Sequence, residues 1–347
     1  MYKFMMMENG GRYKMVELSK TRALSEEFMN DLKQGRLHPI QARLKTDQTL
    51  MLAIRKNYIN IYYRGGNILK LTQCGKNDNV FYKTFFDRKY GTPGQIIPDS
   101  PTIITSEDDA QKWVDSLQEL KKIMDEYFAL KGKAEREFQQ LIARENNYSS
   151  ISNETEYFIT DIEVTDPGAA RFDMMAICWP ASQRKNGSKC KAALIEVKYG
   201  DDALGGSAGL IKHLSDMDRL IFDKTTRYPK LLQTMESQFN QLDELGLLNF
   251  NKGTSQARVE LDPYNKPEVV FIIANHNPRS SKLKTILSNR EIDKFNQSER
   301  FDLRFYVASF AGYGLHAKCM RTLAEFRDLC VFMAKKEEKW KGLPVKT

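Results

Sequence analysis

Three residues in the middle of the chain have the types and spacing needed for metal-assisted hydrolysis. Asp173 lies in an apolar run from 170 to 179, and Glu196 and Lys198 lie in a second run from 192 to 199. Carboxylate oxygens are the ligands that Mg²⁺ prefers, and a lysine beside them can assist a water that attacks phosphorus. The alternative is a structural salt bridge between Glu196 and Lys198, with Asp173 as a turn residue.

The two apolar runs predict neighbouring buried strands. Both are short, and a turn-rich stretch, PASQRKNGSK, joins them. Alternate side chains of a strand point to the same face, so Glu196 and Lys198 should project together. Charged groups inside apolar strands are costly to bury unless they are paired or bind a metal. The predicted hairpin would therefore bring Asp173 close to Glu196.

An acidic residue on one strand and a Glu-x-Lys triplet on the next resembles the signature of the PD-(D/E)xK nuclease superfamily. A predicted helix at 133–145 and a strand at 157–164 precede the hairpin, and a helix at 210–222 and a strand at 269–274 follow it. The resemblance implies an α/β fold with a restriction-endonuclease-like αβββαβ core around a mixed central sheet. It also implies a Mg²⁺-dependent nuclease, in which Mn²⁺ can substitute, acting on DNA, with RNA left open.

The same resemblance implies how the site works. Asp173, Glu196 and the backbone carbonyl of Val197 would bind the metal, and Lys198 would hold the attacking water or stabilise charge on the phosphate. A protein that keeps this fold only to bind nucleic acid or to recruit a partner is the alternative. The complete set of Asp, Glu and Lys favours the enzyme.

Four further residues are candidates at the same site. Related families often carry a glutamate on the helix before the first strand, where Glu135 fits best and Glu137 is the alternative. Glu163 near the end of the first strand is a second candidate ligand. Lys212 and His213 lie on the helix after Lys198, where related families place a glutamine or a basic residue facing the cleft. The alternative for these residues is ordinary surface exposure or, for His213, packing on the apolar face of its helix.

The net charge of +8 is concentrated near the N-terminus. Residues 1–95 contain 17 Lys and Arg against 8 Asp and Glu, whereas the remaining 252 residues contain 36 against 37. We therefore predict a basic N-terminal α+β domain at 1–104 that binds nucleic acid or a protein partner, which could be a second copy of the chain. A linker rich in proline and glycine at 91–105 leads to the nuclease-like domain at 105–347.

Basic and aromatic residues alternate within the predicted N-terminal domain. Arg55, Lys56 and Arg64 could contact phosphates, and Tyr58 and Tyr62 could stack on bases. A β-rich core with a charged outer face would produce the same pattern.

Composition excludes several other classes of protein. No apolar run approaches the ~18 residues of a membrane span. The five cysteines are scattered and form no C-x-x-C pair, which indicates reduced thiols and a cytoplasmic location rather than a zinc site. No motif of a zinc or serine hydrolase is present in the sequence.

Overall fold

The computed structural model places the chain in the α/β class. It describes residues 5–7, 13–15, 22–75, 79–91, 95–148, 155–166, 170–184, 189–206, 209–250, 258–276, 281–296, 298–308, 315 and 317–330. Two short strands, β1 (Met5–Met7) and β2 (Tyr13–Met15), form a separate antiparallel pair. The other strands form two five-stranded sheets.

The N-terminal sheet is antiparallel, with its strands side by side in chain order. Two helices precede it. The hydroxyl of Ser25 accepts a hydrogen bond from the backbone N–H of Phe28 and so caps the first helix. These elements are α1 (Glu26–Gln34), α2 (His38–Thr46), β3 (Leu50–Ile54), β4 (Tyr58–Tyr63), β5 (Gly66–Cys74), β6 (Phe81–Phe85) and β7 (Ile103–Ile104).

A long third helix, α3 (Glu107–Leu130), belongs with the N-terminal sheet. It begins with a capping box formed by Ser106 and Asp109. Its apolar stripe is buried in the same core as α1, α2 and the N-terminal sheet. The division predicted at 104/105 is therefore corrected to the end of α3 near Gly132, because an amphipathic stripe does not reveal which core will bury it. We call α1–α3 with this sheet the N-terminal unit.

The C-terminal unit is built on the second sheet, which we call the central sheet. Its order is β12-β11-β10-β9-β8, with β8, β9 and β10 antiparallel and β10, β11 and β12 parallel, so the sheet is mixed. None of the described helices is both long and apolar enough to cross a membrane. The elements are α4 (Ala134–Asn147), β8 (Tyr157–Asp166), β9 (Ala170–Cys178), β10 (Lys191–Tyr199), α5 (Leu210–Phe222), α6 (Arg227–Glu244), β11 (Glu268–Ala274), α7 (Lys282–Leu287), α8 (Arg290–Asn296) and β12 (Asp302–Val307).

The buried apolar residues form three cores. One lies between the central sheet and α5 and α6. A second, the shared core, lies on the other side of the central sheet and includes α4 and part of the N-terminal sheet. The third is the core of the N-terminal unit, and Leu242, Leu245 and Leu247 from the end of α6 complete it. The two units are thus interleaved along the chain.

A buried carboxylate joins the two units at the edge of the shared core. Asp161 on β8 is fully buried, and its Oδ1 accepts a hydrogen bond from Nη1 of Arg55, which follows β3. Its Oδ2 accepts from Nε2 of Gln238 on α6 at 3.0 Å and from Nη1 of Arg22 at 3.2 Å. We call these four residues the Asp161 cluster. Because a buried charge without a partner is strongly destabilising, the cluster fixes how the sheets face each other.

Loss of Arg55 should therefore destabilise the fold. Arg55→Ala leaves Asp161 buried without its main counter-charge, and we expect the free energy of unfolding to fall by about 3–5 kcal/mol in urea denaturation. The matched control is Lys56→Ala at the neighbouring exposed position, which should change it by no more than about 0.5 kcal/mol. Equal stability of the two variants would contradict the role of the cluster.

Candidate active site

The predicted site lies where β9 and β10 separate. Their pairing ends at Met174 and Ile195, and Asp173 and Glu196 are the next residues on the two strands. Oδ2 of Asp173 accepts a hydrogen bond from the backbone N–H of Val197 at 2.8 Å. This contact satisfies an N–H beyond the end of the β9–β10 ladder and fixes the carboxylate against the second strand.

Glu196 and Lys198 lie on the same side of β10 and contact each other. Nζ of Lys198 donates to Oε1 of Glu196 at 2.7 Å, and the two side chains are each only 4 % exposed. Nε2 of His213 on α5 lies 3.1 Å from the same Oε1, and Nδ1 of His213 lies 3.1 Å from the backbone carbonyl oxygen of Arg171. His213, which the sequence placed near the cleft, therefore reaches Glu196 directly.

Burial makes the charged forms of both carboxylates unfavourable. It raises the pKa of Asp173 to about 6, and the nearby charge of Glu135 adds to the effect. It raises the pKa of Glu196 to about 8, and the charge of Asp173 is the next largest cause. Two carboxylates that repel each other in a buried site are the electrostatic setting in which a bound cation is most favourable.

Gln139 on α4 is a site residue that sequence reasoning missed. Its Nε2 donates to Oδ1 of Asp173 at 2.8 Å, and the side chain is buried. The available signal was its position one helical turn after Glu135, on a face that also carries the apolar residue Ile142. Gln139 and Val197 thus each hold a different oxygen of Asp173.

Two buried oxygens at the site lack a hydrogen bond. Among the described residues, neither Oε1 of Gln139 nor Oε2 of Glu196 has a partner. Buried acceptors of this kind are costly unless something satisfies them, and a hard cation coordinates carboxylate and amide oxygens. The donor set of Asp173, Glu196 and Gln139 therefore fits Mg²⁺, and the carbonyl of Val197 remains a predicted ligand.

The other predicted ligands are less well placed. Glu135 is exposed, but its charge influences the pKa of both Asp173 and Glu196. Glu163 lies between the residues of β8 that pair with Met174 and Phe172, and Nη2 of Arg136 neutralises it at 2.6 Å. No three His, Cys, Asp or Glu side chains of the described residues converge as a preformed metal site.

The structure corrects part of the predicted nucleic-acid surface. Arg55 and Tyr62 are only 7 % and 4 % exposed, and Nη2 of Arg55 donates to the Tyr62 hydroxyl at 3.3 Å. Neither can contact a phosphate or stack on a base, because their partners lie inside the protein. Arg64 is held by Asp125 and Glu137.

Lys56, Tyr58 and Lys212 have more accessible positions. Lys56 is exposed and Tyr58 is half-buried. The ammonium of Lys212 pairs with Asp216 one turn further along α5, and its side chain is half exposed. Lys56 and Tyr58 therefore stay in the predicted nucleic-acid surface, whereas Lys212 forms its ion pair with Asp216 rather than with Glu196 or Asp173.

A second polar pair lies beside the site at the carboxyl ends of β10 and β11. Nδ1 of His276 lies 2.6 Å from Oδ1 of Asp201. Asp201 is three residues after Lys198, and His276 is three residues after Ile273, the residue that pairs with Lys198 in the sheet. No spacing in the sequence links these two residues, which are 75 positions apart.

The raised pKa values predict how stability depends on pH. The folded protein holds the protons of Asp173 and Glu196 more tightly than the unfolded chain, where these groups titrate near 4. The resulting stabilisation is fully present below about pH 4 and is lost as the pH rises through 6 and 8. Asp173→Asn should therefore raise the melting temperature relative to wild type at pH 9, and by less at pH 5. Glu196→Gln is not a clean test, because it also removes the buried partner of Lys198.

Asp47→Asn is the control with the opposite sign. Burial alone would raise the pKa of Asp47, but hydrogen bonds from Lys121 and Thr49 outweigh it and lower this pKa to about 2. Its stabilisation is present above about pH 4 and is lost as the pH falls towards 2, so this variant should melt below wild type at pH 7.

Adding Mg²⁺ at pH 9 should stabilise wild type but not Glu196→Gln. Wild type that equals or exceeds Asp173→Asn in stability at pH 9 without metal would contradict the electrostatic description.

Comparison with known proteins adds no further constraint. No family model, no curated protein and no solved structure matches this chain. The chemistry of the site therefore has to be inferred from its own residues and geometry.

Proposed function

We propose that this protein is a metal-dependent nuclease that hydrolyses phosphodiester bonds in DNA. The observation that carries the proposal is the convergence of Asp173, Glu196 and Lys198 where two buried strands separate. Both carboxylates have a raised pKa, and two buried oxygens there lack a partner among the described residues. This combination suits a divalent cation next to an ammonium group.

The order of the elements supports a restriction-endonuclease-like core. From α4 the chain runs through three antiparallel strands, β8, β9 and β10, then through α5 and α6 to β11, which lies parallel to β10. This is the αβββαβ order that we associate with the superfamily, with α6 as an addition. Asp173 and Glu196 occupy the second and third strands, as the resemblance implies.

The protein's own side chains would orient the reaction. Gln139 and the N–H of Val197 hold the two oxygens of Asp173, and Lys198 and His213 hold Oε1 of Glu196. A bound Mg²⁺ would polarise the phosphate and lower the pKa of a water. The ammonium of Lys198 would hold that water or stabilise the charge that develops on the phosphate, since it is a compact, buried cation. His213 would act as a positioning residue through Glu196.

Substitution of the three central residues tests the proposal. Purified Lys198→Met, Asp173→Asn and Glu196→Gln should each cleave labelled DNA at least roughly 100-fold more slowly than wild type with Mg²⁺, because each removes an interaction made in the transition state. Lys191→Met on the same strand and Asp302→Asn on β12 are matched controls outside the site. Both should retain the wild-type rate within about threefold.

The outcomes separate the alternatives. Cleavage by Lys198→Met at the wild-type rate, or full activity in EDTA, would overturn the proposal. RNA cleaved in preference to DNA of the same sequence would keep the chemistry and correct the substrate. DNA binding without cleavage by wild type, with either Mg²⁺ or Mn²⁺, would instead support the inactive binding protein.

A further inference from the structure

One face of the N-terminal sheet is half covered and half open. Residues directly opposite each other on neighbouring strands have side chains on the same face. One such row runs from Ala53 on β3 through Asn60 and Lys70 to Phe85 on β6. Ala53 is buried in the shared core, whereas Phe85 is 56 % exposed. The face that packs on the C-terminal unit thus continues outwards into solvent.

The open half is basic and aromatic. A second row contains Tyr58, Thr72, Lys83 and Ile103, of which Lys83 is exposed and Ile103 is 42 % exposed. Nζ of Lys70 lies 4.2 Å from the centre of the Tyr58 ring. We call the open half the basic face; it consists of Tyr58, Asn60, Lys70, Thr72, Lys83, Phe85 and Ile103.

The basic face combines a groove with positive charge. Among the described residues, five members of the basic face line a groove together with Asn67, and Tyr58 and Phe85 are its aromatic members. Two of the seven residues of the basic face are lysines, and none of these seven described residues is acidic. Lysine ammonium groups attract phosphates, and an exposed aromatic ring offers a surface on which a base can stack. A duplex hides the faces of its bases, so this combination fits a single strand.

The hairpin of β4 and β5, which carries part of the basic face, contacts α4. The turn between β4 and β5 contacts α4, where the N–H of Gly65 donates to Oε1 of Gln140 at 2.6 Å. Gly65 lies in the left-handed region, with φ of 70°, and a Cβ there would collide with the backbone of Arg136, so only glycine permits this approach. The residue before Gln140 is Gln139, which binds Asp173. The turn that joins β4 and β5, which both contribute to the basic face, therefore contacts the helix that carries Gln139.

We propose that the basic face binds single-stranded nucleic acid, with Phe85 as the residue on which a base stacks. The binding itself stands on the geometry of the N-terminal sheet. Only the further role, in which the bound nucleic-acid strand is delivered to Asp173 and Glu196 for cleavage, rests on the proposed nuclease function.

Fluorescence anisotropy with a labelled oligothymidine tests the binding. The full chain is used in EDTA, so that cleavage does not enter the measurement. Phe85→Ala should weaken binding about 5- to 150-fold, as expected for the loss of one base stack. The matched control is Phe222→Ala, which removes a similarly exposed ring, 65 % exposed, from α5 and should leave the affinity unchanged.

The salt dependence tests the two lysines. A variant with both Lys70→Ala and Lys83→Ala should bind more weakly, and its slope of log affinity against log salt should be shallower by about 1.4, at about 0.7 for each phosphate that is no longer neutralised. Lys112→Ala with Lys122→Ala, at two exposed positions on α3, is the charge-matched control and should leave the slope unchanged. A hairpin duplex should bind more weakly than the oligothymidine.

The failure of this inference is distinguishable from that of the nuclease proposal. Wild-type affinity in Phe85→Ala, an unchanged slope in the double lysine variant, or tighter binding of the duplex would overturn the basic face as a single-strand site. Cleavage that depends on Lys198 could still be found in each case. Conversely, binding that depends on Phe85 without any cleavage would support the basic face and overturn the nuclease.

Discussion

The Asp161 cluster is the interaction on which the arrangement of the two sheets depends. A fully buried carboxylate tolerates few arrangements of its neighbours, since each oxygen needs a donor at hydrogen-bond distance. Asp161 obtains these donors from three distant segments, represented by Arg22, Arg55 and Gln238. The shared core could tolerate sliding of apolar surfaces, whereas this cluster cannot. It therefore supplies specificity of packing between the two sheets.

The candidate site illustrates a conflict between stability and chemistry. Asp173 and Glu196 are buried near each other, and the ionised form of each would be more stable in water. Lys198 and His213 offset part of this cost through their contacts with Oε1 of Glu196. A protein selected for stability alone would replace such a pair with apolar residues, as often happens without loss of stability in buried ion pairs. The presence of this unfavourable arrangement is the physical reason for proposing a function for it.

The sequence predicts local structure well wherever the determinants are local. The capping box at Ser106 and the apolar runs around Asp173 and Glu196 specify their helix and strands within a few residues. Long-range partners could not be predicted in this way. In the sequence Arg55 resembles a surface cation, because its partner Asp161 lies 106 positions away. Helix α3 resembles the first helix of a second domain, because its apolar stripe could be buried in either core. Gln139 was missed because an amide on a helix carries no motif.

The end of α6 has a consequence for how the chain folds during synthesis. Leu242, Leu245 and Leu247 belong to the N-terminal core, yet they are synthesised more than a hundred residues after α3 is complete. At typical rates of translation the ribosome needs on the order of ten seconds to produce that stretch. Until then, the apolar groove that will receive these leucines stays uncovered. The N-terminal core of the nascent chain therefore stays incomplete during this time. Its exposed apolar surface is what chaperones would bind at this stage.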